Sequence, residues 1–429
     1  MPRASKKPKA AIITAPKGMH DTLPGDQPIW DRIRKIGKAT ADFYNFLRID
    51  TPILEKAELF QRPLGETSDV VEKQMFVLKT KGGDALALRP EGTAPIARAY
   101  IENGLSHLGQ PLKLYYEGPM FRYEQPQAGR FRQFHQLGFE IISNDNDPIY
   151  DAQVLLACYR ALQDLKLKDI SVQLNSIGCH KCRPNFRRQL LEYYRPKEKQ
   201  LCNDCRRRLK TNPLRLLDCK NEKCIELKKD APNILDSLDF DCKKHFKKVL
   251  EFLEEVRLPY TLNQHLVRGF DYYTKTVFEI FHEGFDFAIA SGGRYDYLLE
   301  MLGGRQLPGV GGAIGVERLV EIIKAKNISV VGKSRPKLYL IHIGDLAKIR
   351  ALSIIELFRE AGLDVVEALG KDSLRAQLKA ADKIGSPLAL IFGQQEAFEQ
   401  SIIIRDMKTG AQETVPLKKV VEAVRRKLR

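Results

Sequence analysis

The period of the hydrophobic positions changes several times along the chain, and each change marks a new kind of element. From about Gln27 to Phe46 apolar residues recur at helical spacing, which predicts an amphipathic helix buried along one face. A mixed region follows to about Asp164. It holds "TPILEKAELF", two strands joined at Gly82-Gly83 within "KGGDALALRPEGTAP", a helix from Pro95, and two strand-like stretches flanking a turn at Gln125 to Gly129. Residues 170 to 260 break this pattern: they are Cys-rich, basic and helical, with few β-branched runs, and read as an insert. The earlier pattern then resumes. "YTLNQHLVRGFDYYTKTVFEIFHEG" and "FAIASGGRYDYLLEMLGG" predict antiparallel strands and turns, and "GVGGAIGVERLVEIIKAK" predicts a glycine-dense strand entering a helix. After a linker near "NISVVGKSRPK", apolar strands alternate with helices from Lys337 onward, including helices from Ala347 and Asp372, which predicts a small α/β domain of about ninety residues. No internal repeat is evident.

The 429 residues suit two or three domains at roughly 150 residues each, and a 43% hydrophobic content can fill their cores. No run of eighteen apolar residues predicts a membrane span. No secretory signal is apparent at the N-terminus, so a cytoplasmic location is expected. The formal charge of +16 is concentrated: residues 1 to 20 carry five Lys/Arg and no acid, and residues 179 to 230 carry sixteen Lys/Arg against seven Asp/Glu. Charge localised in this way suits a polyanion, because pairing with phosphates releases counterions. Residues 1 to 17 are expected to be a disordered basic tail.

The stretch "FRYEQPQAGRFRQFHQLGFE", residues 121 to 140, has three arginines and four phenylalanines in twenty positions. Arginine forks onto phosphate oxygens and stays charged. Arg122 on the first strand and Arg130 just past the turn would grip a triphosphate from two sides, with Phe134 offering a flat ring to a purine and Glu124 orienting its amino group. By itself the stretch suits an RNA-binding hairpin nearly as well.

Other stretches separate these readings. "FRYE" followed by "RFRQF" resembles the second signature motif of class II aminoacyl-tRNA synthetases, "GVGGAIGVERL" with Arg318 resembles the third, and the helix and strand ending in "DTPILE", with Pro52, resemble the first. "LVRGFDYYTKTVFEI", "SGGRYDYLL", "RPEGTAP" and "RQFHQLGFE" are similar to the histidine-specific motifs of the histidyl-tRNA synthetase family. The resemblance runs from about Gly18 to the C-terminus. It implies an α+β fold: an antiparallel-sheet catalytic domain at 18–330, interrupted by the insert at about 170–260, then an α/β anticodon-binding domain at 336–429. It also implies a homodimer formed through the first motif, with ATP, Mg²⁺, L-histidine and tRNA-His as ligands and no membrane association.

The resemblance carries residue roles as well. Arg122 and Arg268 would flank the α-phosphate, Arg130 would bind the terminal phosphates, and adenine would lie between Phe134 and Arg318. Glu91, Thr93 and Gln136 would hold the amino and carboxylate end of histidine, and Glu140, Tyr273 and Tyr295 would reach its imidazole. Without the motifs, Arg268 is equally a structural ion pair, Tyr273 and Tyr295 are ordinary half-buried strand residues, and His20, His135 and His265 are packing or surface residues. Two other functions compete: the regulatory subunit of ATP phosphoribosyltransferase, which shares the catalytic fold, and a nucleic-acid-binding protein without catalysis.

Six of the eight cysteines fall between 179 and 224. The knuckles Cys179-x-x-Cys182 and Cys202-x-x-Cys205, nineteen residues apart, have four-thiolate zinc spacing. Cys219 and Cys224 form a surplus pair, so the choice of four ligands stays open, as does the alternative of reduced free thiols.

Overall fold

The computed structural model describes residues 12–64, 70–329, 338–367, 370 and 373–428. Most of the expected basic tail, most of the linker and Asp372 lie outside these. The chain divides into two compact units, Met1–Val331 and Gly332–Arg429.

The first unit is built on an eight-stranded sheet. Its strands, in spatial order, are Leu47–Arg48, Leu112–Phe121, Gln133–Ile142, Gly309–Gly315, Ala288–Arg294, Thr274–His282, Ile170–Ser176 and Thr261–Leu262. Neighbours are antiparallel except for the outermost pair at each edge. Glu140 and Gly311 thus face each other in register although 171 positions separate them (311 − 140). Alternate side chains of a strand point to opposite faces. Leu137, Phe139 and Ile141 accordingly join a core with Trp30, Ile33 and Ile36 of the helix Gln27–Phe43 and Val154, Leu155 and Leu162 of the helix Ile149–Asp164. Gln136 and Glu140 are left for the other face.

Local chemistry moves several boundaries from their expected places. The first helix stops at Phe43 rather than Phe46, because Asn45 turns left-handed at φ 59° and the Phe46 N–H returns to the Ala41 carbonyl at 2.8 Å. The helix expected from Pro95 begins at Thr93 because the Glu91 carboxylate takes the N–H groups of Thr93 and Ala94 at 2.6 and 2.8 Å. The strand Leu112–Phe121 ends earlier and the strand Gln133–Ile142 begins later than expected, so Arg122 lies just past the first strand and Arg130 within a longer connection. There Pro126 has no donor, Gly129 is left-handed at φ 67°, and the Arg132 N–H goes to the Gly18 carbonyl at 2.7 Å rather than to a strand partner.

"ISVQLNS", placed inside the insert by its cysteine-rich surroundings, is instead the strand Ile170–Ser176, paired with Thr274–His282. The helical interruption runs from Cys182–Tyr194 to Phe240–Glu255. Its last helix is anchored at Asp151, which pairs with His245 at 3.4 Å and with the buried Arg294 at 2.9 Å.

The second unit has a five-stranded sheet in the order Val365–Glu367, Leu338–His342, Leu388–Phe392, Ser401–Asp406, Gln412–Pro416. The first three strands are parallel and the last two antiparallel to their neighbours. All five residues of Leu338–His342 and of Leu388–Phe392 are buried, as parallel strands covered on both faces require. The α+β catalytic sheet and the following α/β domain expected from sequence are both present. No described helix is long and apolar enough to cross a membrane.

Candidate active site

The free face of the large sheet floors a cavity of about 1270 Å³ whose two ends differ in chemistry. At the deep end Glu140 receives the Thr93 hydroxyl at 2.7 Å and the Tyr295 hydroxyl at 2.6 Å. Burial is the largest influence on its carboxyl, and together with the charge of Glu91 it pushes the pKa up to about 8 against the two hydrogen bonds. Room for that carboxylate depends on the strand opposite: a Cβ on Gly311 would stand 1.7 Å from Glu140 Oε2, and one on Gly309 would stand 2.1 Å from the Tyr295 ring. Burial likewise raises Glu91, whose carboxylate is occupied in starting the helix Thr93–Glu102, with the Tyr272 hydroxyl 3.5 Å away. Gln136 lines the same cavity, and its buried Oε1 has no hydrogen-bond partner among the described residues.

The other end is arginine-rich. Arg122 donates from Nε to the Pro90 carbonyl at 2.9 Å and lies over the rings of Phe134 and Phe270 at 5.1 and 5.5 Å. Arg130 is 3.5 Å from Glu124. Arg268 is fixed by Glu279 at 2.5 Å and by the Ser291 hydroxyl at 2.8 Å, with its guanidinium over Tyr273. Arg318 donates to the carbonyls of Gly129 and Ala288 and lies over Phe287 at 5.4 Å. Burial lowers Arg318 to about 10, and repulsion from Arg122 and Arg130 adds to the shift. Four guanidinium groups gathered around one cavity make a site for a polyanion.

All twelve residues expected around the substrates thus belong to this cavity or to groups bonded into its wall: Glu91, Thr93, Arg122, Glu124, Arg130, Phe134, Gln136, Glu140, Arg268, Tyr273 and Arg318 line it, and Tyr295 is held to Glu140. Phe134 and Arg318 are not stacked on each other; each packs on a different partner. Glu279, Ser291, Phe270, Phe287 and Tyr272 were missed. Ser291 and Glu279 face each other across two strands, and only that register identifies them as the pair that aims Arg268.

Residues 18–319 match the family model described as histidyl-tRNA synthetase, and residues 337–427 match the model of an anticodon binding domain. The chain belongs to the histidyl-tRNA synthetase family. It is 42% identical over 97% of its length to 98% of a histidine–tRNA ligase of Pelotomaculum thermopropionicum. It is 44% identical over 96% of its length to 97% of one from Desulfitobacterium hafniense. The apo crystal structure of Staphylococcus aureus histidyl-tRNA synthetase covers 96% of this chain and 99% of its own, with a TM-score of 0.79 at 33% identity.

The cysteines of this synthetase-family chain are arranged differently from the expected single site. Cys179 and Cys182 do not meet Cys202 and Cys205. Cys202 and Cys205 converge with Cys219 and Cys224, whereas Cys179 and Cys182 converge with Asp239 and Cys242. The ligand atoms in each group lie within 4.8 Å of one another. The two knuckles are separated because they begin different helices, Cys182–Tyr194 and Asn203–Thr211. Asp239 and Cys242 were missed because the pair, a D-x-x-C knuckle, lies beyond the cysteine-dense stretch.

Proposed function

We infer that the protein is a histidine–tRNA ligase acting in the cytoplasm. It joins histidine to ATP as histidyl-adenylate, releasing pyrophosphate, and passes the histidyl group to the 3′ end of tRNA-His, releasing AMP. The observation that carries this reading is the joining, in one cavity, of a buried carboxyl set between hydroxyl donors and a cluster of four arginines. Glu140 with Tyr295 and Tyr273 recognises the imidazole, and Glu91, Thr93 and Gln136 take the amino and carboxylate end. A pocket that hydrogen-bonds a substrate group rejects analogues lacking it by roughly 10⁴-fold or more.

The histidine carboxylate is the nucleophile toward the α-phosphorus, so no covalent side chain is required. The protein supplies alignment and charge. Arg122 and Arg268 stabilise the negative charge that builds on the α-phosphate as the new P–O bond forms and pyrophosphate leaves. Arg130 holds the terminal phosphates, and Phe134 and Arg318 bracket adenine. Oxygen donors suited to Mg²⁺ are present in Glu124 and Glu279, and the ion when bound with ATP would neutralise phosphate charge. The insert's cysteine clusters suit structural Zn²⁺.

A homodimer through the first motif is supported by apolar surface around it: Leu47 on the short edge strand, Ile53 just before the three-stranded sheet, and Leu54, Val77 and Leu78 on that sheet are exposed. The unit after residue 337 matches an anticodon binding domain, which favours this reading over a regulatory subunit. Histidine-dependent exchange of pyrophosphate into ATP, followed by charging of tRNA-His, tests it. A folded protein that exchanges nothing in the presence of histidine would refute the assignment.

A further inference from the structure

We propose that the insert carries two structural Zn²⁺ ions, one held by Cys202, Cys205, Cys219 and Cys224 and the other by Cys179, Cys182, Asp239 and Cys242, and that together they brace the loop bearing Arg268 and Tyr273. Seven of the eight cysteines are used in this way, all of them as free thiols; only Cys158 stands apart. Sulfurs about 2.3 Å from a zinc ion stand about 3.8 Å apart along the edges of a tetrahedron. Cys179 and Cys182 are 3.8 Å apart, and so are Cys202 and Cys219.

The sulfurs of both groups are also held in place by the backbone. Backbone N–H groups donate to sulfur in each: Lys181 to Cys179 at 3.3 Å and Asp239 to Cys182 at 3.2 Å, then Cys202 to Cys224 at 3.4 Å and Asn221 to Cys219 at 3.5 Å. Such N–H bonds stabilise charged sulfur and fix ligand orientation. The net positive charge of residues 179 to 230 offsets the surplus negative charge of a four-anion site on a divalent ion. Asp239 divides its carboxylate between two tasks. Oδ1 accepts the Cys242 N–H at 2.7 Å and starts the helix Phe240–Glu255, while Oδ2 is 3.2 Å from both Cys179 Sγ and Cys182 Sγ.

Both groups connect to the active site through their neighbours. Arg183, beside Cys182, donates to the carbonyls of Asp271 and Tyr273. Between the knuckles of the other group, Arg215 donates to the Gly269 carbonyl and Asn212 to the Asp271 carboxylate, both at 2.9 Å. The 269–273 backbone is therefore held from two sides by residues whose own positions depend on the clusters, and Cys202 and Cys219 line the catalytic cavity itself.

Elemental analysis and native mass spectrometry of full-length protein, purified without added metal, should find two zinc ions per chain. Cys219→Ser should remove one, Cys242→Ser the other, and the double variant both. The count is independent of the reaction assigned above, whereas the bracing role rests on that reading. Cys219→Ser should lower kcat for pyrophosphate exchange about tenfold or more. One ion per chain, iron in place of zinc, or disulfides with no metal would each overturn the two-zinc assignment, and the wild-type count decides this even if a variant does not fold. Two zinc ions in the wild type with unchanged exchange in a Cys219→Ser protein containing one ion would overturn the bracing role alone.

Discussion

The two ends of the catalytic cavity are made in different ways. At the deep end Glu140 stands within a strand, bonded to Thr93 at a helix start and to Tyr295 just past the strand Ala288–Arg294, with Gly311 directly opposite on the neighbouring strand. At the arginine end the cations sit on connections or helix starts, tied to carbonyls and carboxylates that a substrate can replace. In the function proposed above, recognition of a small group falls where the sheet leaves little freedom. In that function, charge for the phosphates is placed on long arms outside the sheet. From this division, damage at the deep end should appear as lost histidine binding or lost structure, and damage at the shallow end as slower chemistry or weaker ATP binding.

The largest effect is expected from Gly311→Ala. The new Cβ would overlap Glu140 Oε2, and neither strand can move without breaking the register. Displacing a reacting or binding group by about 1 Å costs roughly 10²-fold, and overpacking adds about 1–3 kcal/mol, so exchange should fall by roughly 10³-fold. Activity within tenfold of wild type would mean that the floor is softer than the geometry indicates. Next comes Arg268→Ala. Removing a donor to charge that develops in the transition state costs about 3 kcal/mol, or 10²–10³ in kcat, with the fold and ATP binding kept. Exchange that persists within about threefold would show that Arg268, paired to Glu279 and Ser291, serves structure rather than catalysis.

Legibility in the sequence divides along the same line. Residues that short motifs single out, such as Arg122, Glu140 and Arg318, do line the cavity. Residues whose role depends on which distant segments become neighbours were not singled out in this way. Ser291 and Glu279 acquire meaning only through strand register. The cysteine knuckles exchange partners because Cys242 and Cys179, 63 positions apart (242 − 179), are brought together by the helices they begin. The strand Ile170–Ser176 was hidden by the cysteine-rich, basic composition of the residues just after it, although Val172 and Leu174 alternate correctly with outward positions.

Glu140→Gln should have a smaller effect on histidine binding, with a distinct pH signature. Losing the hydrogen bond of this carboxyl to the imidazole is worth about 1.4 kcal/mol, which raises the histidine KM roughly tenfold while kcat changes less. In the free protein the Glu140 carboxyl is raised from 4.5 to about 8, so folding favours its protonated form. Its contribution to stability is full below about pH 4.5 and is lost as the pH rises to about 8. Thermal midpoints taken across that window without substrates should decline in the wild type, and the part due to Glu140 should vanish in Glu140→Gln. Identical pH profiles would show that burial does not hold a proton on this residue.

Arg130→Ala should be the mildest. Its side chain is 40% exposed and 3.5 Å from Glu124, so its field is screened by solvent and partly spent on a neighbour. The terminal phosphates leave together as pyrophosphate while the reacting bonds are those at the α-phosphorus, so a contact to them should stabilise ground and transition states almost equally. The expected result is a rise in ATP KM of roughly three- to tenfold, an unchanged histidine KM, and kcat within about twofold. The rise should shrink at high salt, where exposed charges are screened beyond roughly 3 Å at 1 M. A fall in kcat with ATP KM unchanged would move Arg130 into the group that acts on the developing charge, beside Arg122 and Arg268. The separation between a recognition end within the sheet and a charge end outside it would then place three arginines, not two, on the reacting phosphate.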